Sequence, residues 1–171
     1  MTLSIRPASR ADLPLIAQFI RDLAEYEKLS DAVRFDEAVM GEKLFGPRPY
    51  AEVVIGEIDG KAQGFALFFH NFSTFEGLPG IYLEDLFVRP EARGAGLGRA
   101  LLSHLAALAV ERGCARLEWS VLDWNAPAIG FYEKLGARPM DDWTIMRLDG
   151  SYLAQLGAAP RFSDDCDLAN R

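Results

Sequence analysis

Tyr82–Leu102, YLEDLFVRPEARGAGLGRALL, is the stretch whose reading decides the fold. Ile81 to Val88 has the pattern of a largely apolar central strand, and Pro90 ends it. A turn of small residues follows, Arg93-Gly94-Ala95-Gly96-Leu97-Gly98. An apolar helical stripe then begins at once, with Leu97, Leu101, Leu105 and Leu108 on one face and Gly113 as the stop. Strand, small-residue turn and helix start together make a place to hold a phosphate. Glycines let backbone approach a ligand closely, and the free N–H groups of a helix's first turn point at it. Arg89, Arg93 and Arg99 concentrate positive charge here in a chain of net charge −7.

The other elements fall on either side of this unit. Leu3-Ser4-Ile5 reads as a first strand ending near Pro7. Ser9 or Asp12 can cap the helix that follows, with Pro14 in its first turn and Leu13, Ile16, Ile20, Leu23 and Ala24 facing inward. Phe35 to Leu44 is a second, weaker helix. Ala51 to Ile58 and Lys61 to Phe72 are β-rich and flank Asp59-Gly60, a strong hairpin signal. Past the central helix, Ala115 to Leu122 reads as a strand and Ala128 to Leu135 as a short helix, with Asn125 as N-cap, Pro127 in the first turn and Gly136 at the end. Trp143 to Leu148 is expected as a last strand. The order predicts an α+β (α/β mixed) domain over 1–156 on a mixed central sheet flanked by helices, followed by an acidic, loose tail over 157–171.

Composition narrows the class of function. Of 171 residues half are hydrophobic and a quarter charged, as in an ordinary globular domain. The apolar runs are far too short for a membrane span, and MTLSIRPASR carries no secretory pattern, so a cytoplasmic protein with no membrane partner is expected. Cys114 and Cys166 are too few for a disulfide framework, and with two histidines no metal site is expected. The acidic balance argues against a nucleic-acid partner and favours cationic small substrates.

Two better-known glycine loops fail on spacing. A Rossmann turn needs two residues between its second and third glycines, where this chain has one; a P-loop needs Gly-Lys-Ser/Thr, where it has Gly98-Arg99-Ala100. What Arg93-x-x-Gly96-x-Gly98 does resemble is the arginine/glutamine-x-x-glycine-x-glycine/alanine signature of the GNAT N-acetyltransferases. Asn125 with the downstream Phe131-Tyr132-x-x-x-Gly136-Ala137 is similar to that family's second coenzyme-binding segment. Ile5-Arg6-Pro7-Ala8, Tyr26-Glu27-Lys28-Leu29-Ser30-Asp31, Tyr82-Leu83-Glu84-Asp85 and Val121-Leu122-Asp123-Trp124-Asn125 resemble the spermidine/spermine (diamine) acetyltransferase branch, and most of all its thialysine acetyltransferases.

The resemblance implies a GNAT fold, acetyl-CoA as co-substrate, a small cationic amine as acceptor and a homodimer. It implies that Leu86, Phe87 and Val88 pair with the pantetheine arm as an added strand would, and that Arg93, Gly94, Ala95, Gly96, Leu97, Gly98 and Arg99 hold the pyrophosphate. Asn125, Pro127 and Ala128 would touch the coenzyme, with Tyr132 as general acid near its sulfur. Tyr26, Glu27 and Glu84 would face the amine, Glu118, Trp119 and Ser120 would line its channel, and Asp142 would lie at its far end. The chain departs from the branch at Asp141-Asp142-Trp143, which lacks a glycine before the tryptophan.

Amine chemistry assigns a task to the carboxylates. An alkyl ammonium with a pKa of about 10.4 must lose a proton before its nitrogen can attack. Strand alternation puts Glu84 with Tyr82, Leu86 and Val88, as amine anchor and base, and turns Asp85 the other way with Leu83 and Phe87, as a structural residue. Backbone N–H near Val88 would polarise the acetyl carbonyl. Neither cysteine lies in a motif, so direct transfer is expected. The same residues also suit a protein amine or an antibiotic as acceptor, or an acetyl-CoA-binding protein without turnover.

Overall fold

Asp59 and Gly60 both take left-handed backbone conformations, φ 48° and 74°. In the computed structural model, which describes residues 1–158, they form the tight turn of a hairpin between β2 (Glu52–Ile58) and β3 (Lys61–Ser73). Strand β1 (Leu3–Pro7) pairs antiparallel with β2, and β4 (Leu78–Val88) pairs antiparallel with β3. Strand β5 (Leu117–Trp119) joins β4 in parallel, giving a mixed sheet of order β1-β2-β3-β4-β5. Parallel neighbours need a crossover, and the helix that begins within the opening stretch supplies it.

That stretch folds as its pattern predicts. Its helix, α3 (Leu97–Glu111), buries Leu97, Leu101, Leu102, Leu105 and Ala109, while Leu108 is half-buried. Gly56 of β2 lets this helix come close, because a Cβ there would sit 2.9 Å from Leu97 Cδ1. Helices α1 (Leu13–Tyr26) and α2 (Glu37–Phe45) precede the hairpin. The entry to α1 is pinned by charge. Arg6 donates to both oxygens of Asp12 at 2.8–2.9 Å and to Glu57 at 2.8 Å, and the Ser9 N–H donates to Asp12. These donors hold the Asp12 carboxyl well below the usual carboxylate range.

Periodicity missed the residue at the centre of the core. Phe19 is fully buried, as is Ala17, whereas the expected stripe on α1 was Leu13, Ile16, Ile20, Leu23 and Ala24. Phe19 stacks on Phe65 (5.4 Å between centroids, 9° between planes) and tilts against Phe87 at 6.1 Å. One large ring thus reaches β3 and β4 together, from a helix face wider than the predicted stripe.

The chain divides into two compact units, Met1–Leu122 and Asp123–Arg171. The second contains α4 (Ala126–Lys134) and α5 (Gly150–Gly157). The expected strand Trp143–Leu148 does not form: these residues are irregular, and Trp143, Ile145 and Met146 are largely exposed. β-propensity acts through a neighbouring strand, and no described strand pairs with this segment. The strand expected over 115–122 is confined to Leu117–Trp119, and α5 was not anticipated. Of the tail expected over 157–171, Gly157 ends α5 and residues 159–171 lie outside the described residues.

Phe19→Ala should destabilise the protein by about 3–5 kcal/mol in urea unfolding, as large-to-small changes in packed cores do. Phe75, 96 % exposed, is the matched control; Phe75→Ala should stay within about 0.5 kcal/mol.

Candidate active site

The site is built along β4, which is held differently at its two ends. From Leu78 to Val88 its antiparallel contact with β3 is nearly continuous. Its contact with β5 covers only Ile81, Tyr82 and Leu83, opposite Leu117, Glu118 and Trp119. Beyond Leu83 no described strand pairs with that edge. No described strand therefore competes with an added strand for the backbone of Glu84–Val88 on this side, although the Val88 carbonyl accepts from Arg93 Nε at 3.1 Å.

A bulge sits where the edge opens. Leu67 pairs with Asp85 and Phe68 with Leu83, so Glu84 is an extra residue with no partner on β3. Such an insertion bends the strand and re-aims the side chains beside it. Glu84 is exposed, whereas Asp85 is partly buried between the buried Leu83 and Phe87. Burial first, and then the negative charges of Glu84 and Glu27, raise the Asp85 carboxyl to about 6. The carboxyl of Glu27, the C-cap of α1, is itself raised by burial. Glu27, Glu84 and Asp85 therefore share one electrostatic environment, a focus of negative charge suited to a cation. Among the described residues, no three such groups are placed to hold a metal ion.

The other end of β4 has the opposite character. The chain leaves Val88 through a short turn at Pro90–Ala92 and reaches α3 through Gly94 and Gly96, at φ 80° and 87°. Gly96 is the N-cap of α3, and no side chain caps that end, so N–H groups of the first turn have no capping acceptor. Gly98 has no backbone need for glycine, and a Cβ there would meet only Val88 Cγ2 at 3.8 Å. Fold alone does not demand a glycine at that point. A helix start with no side-chain cap and glycines at Gly94, Gly96 and Gly98 fits a bound diphosphate, with Arg99 exposed on the first turn.

The remaining residues fall into three places. Tyr26, at the end of α1, has its ring 4.6 Å beneath the Arg93 guanidinium. Glu118 and Ser120 lie at β5 with their polar groups already engaged. Glu118 accepts from Arg116 at 2.6 Å and from Asn71 at 3.1 Å, and Ser120 Oγ is 2.6 Å from the Tyr82 hydroxyl. Trp119, between them, is half-buried. On the second unit, Asn125 is buried and accepts from the Ala128 N–H, with Pro127 between them in the first turn of α4. Tyr132 is on the same helix, half-buried against Phe131 at 5.4 Å, and Asp142 is exposed in an irregular segment.

Neither the bulge nor the acidic role of Asp85 was read from the sequence. A bulge is a register event with no residue signature here, but an aspartate between Leu83 and Phe87 is itself a signal of a shifted pKa. Because the folded pKa lies above the usual 3.8, folded Asp85 binds more protons than the unfolded chain between about pH 4 and 6. The ionisation cost of its burial is therefore small at pH 4, grows as pH rises and reaches its full value above about pH 6. Asp85→Asn should raise Tm at pH 7.5, with the gain vanishing at pH 4; this is read by thermal unfolding across that range.

Residues 17–137 match the model of the Acetyltransferase (GNAT) family. The chain is 37 % identical over 163 residues to the thialysine N-epsilon-acetyltransferase of Bos taurus, covering 89 % of this chain and 95 % of that protein. It is 30 % identical to the L-ornithine N5-acetyltransferase NATA1 of Arabidopsis thaliana, over 87 % of this chain and 85 % of that one. Among solved structures, an integron cassette protein of V. cholerae superposes with a TM-score of 0.77 at 28 % identity, covering 93 % of this chain and 99 % of the other.

Proposed function

The chain belongs to the GNAT family and is an N-acetyltransferase of acyl-CoA-using type, and on that footing we propose that it moves the acetyl group of acetyl-CoA directly to a primary amine of a small cationic substrate, a diamine, a polyamine or a thialysine-like amino acid. The observation that carries this is the polarity of β4. One continuous strand has three carboxylates gathered at the point where its edge opens and an uncapped helix start at its far end. An acyl donor with a pantetheine arm and a diphosphate suits the open edge and the turn, and an ammonium suits the carboxylates.

Acetyl-CoA supplies an acetyl group already activated as a thioester, so the residues need only bind, orient and move protons. Leu86 to Val88 would pair with the pantetheine amides, and the amides of Gly94 to Arg99 would hold the pyrophosphate. Glu84 and Glu27 would anchor the ammonium beside Tyr26. The proton must leave before attack, and Glu84, exposed at the bulge, would take it directly or through water. Asp85 enters this account as a third charge rather than a scaffold residue. With a pKa near 6 it is ionised at neutral pH and adds to the attraction for a cation. Asn125, Pro127 and Ala128 would contact the coenzyme, and the Tyr132 hydroxyl would give a proton to the departing thiolate.

Thiol release from acetyl-CoA, followed over thialysine, lysine, ornithine, diamines and polyamines, should show turnover concentrated on one or two of these amines. No turnover with any of them would overturn the proposal. Tyr132→Phe should lower kcat by about 10²-fold or more while coenzyme binding stays within about two-fold; an unchanged kcat would remove the tyrosine from its role.

A further inference from the structure

Arg93 is the arginine of the glycine-rich signature, and its side chain is committed elsewhere than to the turn. The guanidinium lies 4.6 Å from the centroid of Tyr26 and 5.9 Å from that of Phe87, and Nε donates to the Val88 carbonyl at 3.1 Å. These three partners lie on the last residue of α1 and the last two residues of β4. We propose that Arg93 is a positioning residue: it clamps the start of the pyrophosphate turn to Tyr26 on the amine side, so that an intact Tyr26 ring is required for full affinity at the coenzyme turn.

The physical argument starts from the flexibility that follows Arg93. Gly94 and Gly96 both occupy left-handed conformations, and a Cβ at Gly94 would meet nothing within 4 Å, so packing does not fix this part of the turn. Glycines carry the largest conformational entropy to be lost when the turn closes on a ligand. The backbone before them is held by the Arg93 N–H, which donates to Pro90 at 3.2 Å, and by the side-chain clamp. A stacked guanidinium also keeps its planar fork, which a lysine cannot reproduce. Tyr26 supplies the outer face of the clamp. It is 38 % exposed and sits one residue before Glu27, on the wall read above as facing the amine. Through this contact the amine wall and the coenzyme turn are mechanically one piece.

This inference rests on the coenzyme reading of the turn, and the test separates the two. Coenzyme A binding is measured by calorimetry, without any amine, for the wild type, Tyr26→Leu, Tyr26→Phe, Arg93→Ala and the Tyr26→Leu/Arg93→Ala double variant. Tyr26→Leu should weaken binding about two- to five-fold, the range of an exposed cation–π contact. Tyr26→Phe, which keeps the ring, should restore it. In the Arg93→Ala background Tyr26→Leu should have no further effect, the signature of a direct pair in a double-mutant cycle. Unchanged binding in Tyr26→Leu, or effects that simply multiply in the double variant, would overturn the clamp and leave the coenzyme reading standing. Absence of coenzyme A binding by the wild type would overturn the coenzyme reading itself, and the clamp with it.

Discussion

Strand β4 is held on both edges only as far as Leu83, and the site depends on that limit. A sheet strand paired throughout has no backbone groups to offer a ligand. Here β3 fixes the geometry of β4 over its whole length, while β5 withdraws after three pairs. The result is a braced edge with no strand beside it past Leu83, which is what strand-like binding of an extended arm requires. The bulge at Glu84 falls just past the last β5 pair, so the local bend and the change in support coincide. Phe19 matters to function through the same strand, because its ring braces Phe87, the residue behind the open edge.

The glycines of the turn divide by the reason each is glycine. Gly94 and Gly96 answer to backbone conformation, since both have positive φ. Gly98 answers to neither conformation nor packing, because its φ is ordinary and a Cβ would make only a van der Waals contact with Val88. On the proposed coenzyme reading, a small residue here would leave room for the diphosphate to pass close over the helix start.

How much was legible follows from how local each signal is. The hairpin at Asp59-Gly60, the turn from Arg93 to Gly98 and the stripe of α3 are short-range patterns, and each forms as read. Partnerships made across the sheet were not readable. The bulge depends on the register with Leu67 and Phe68, and the depth of Phe19 depends on Phe65 and Phe87 arriving from other elements. Trp143 to Leu148 has the composition of a strand, but composition does not supply a partner edge. Glu118 is a different case. Arg116, two residues away and on the same strand face, is a readable partner, and its 2.6 Å hydrogen bond compensates the charge that the family resemblance assigned to the amine channel. The free negative charge of the first unit's site is therefore carried by Glu27, Glu84 and Asp85.

On the proposed function, two unlike substrates would share one strand, and that distribution of charge would sort them. A coenzyme bearing phosphates and an amine bearing one or more positive charges attract each other in solution, and a site without polarity would not sort them. On β4 the acidic group lies where the edge first opens, whereas Arg93 and Arg99 bracket the turn at the other end. On the proposed function, each ligand would be drawn to one end and repelled from the other, so that charge would set register along the strand before any specific hydrogen bond forms. The net charge of −7 adds to the attraction for the amine over the whole surface, and only the local arginines and the uncapped α3 amides oppose it at the turn. Precision in that small cationic region therefore matters more than its strength, and holding the start of the turn in place is the task the Arg93 clamp performs.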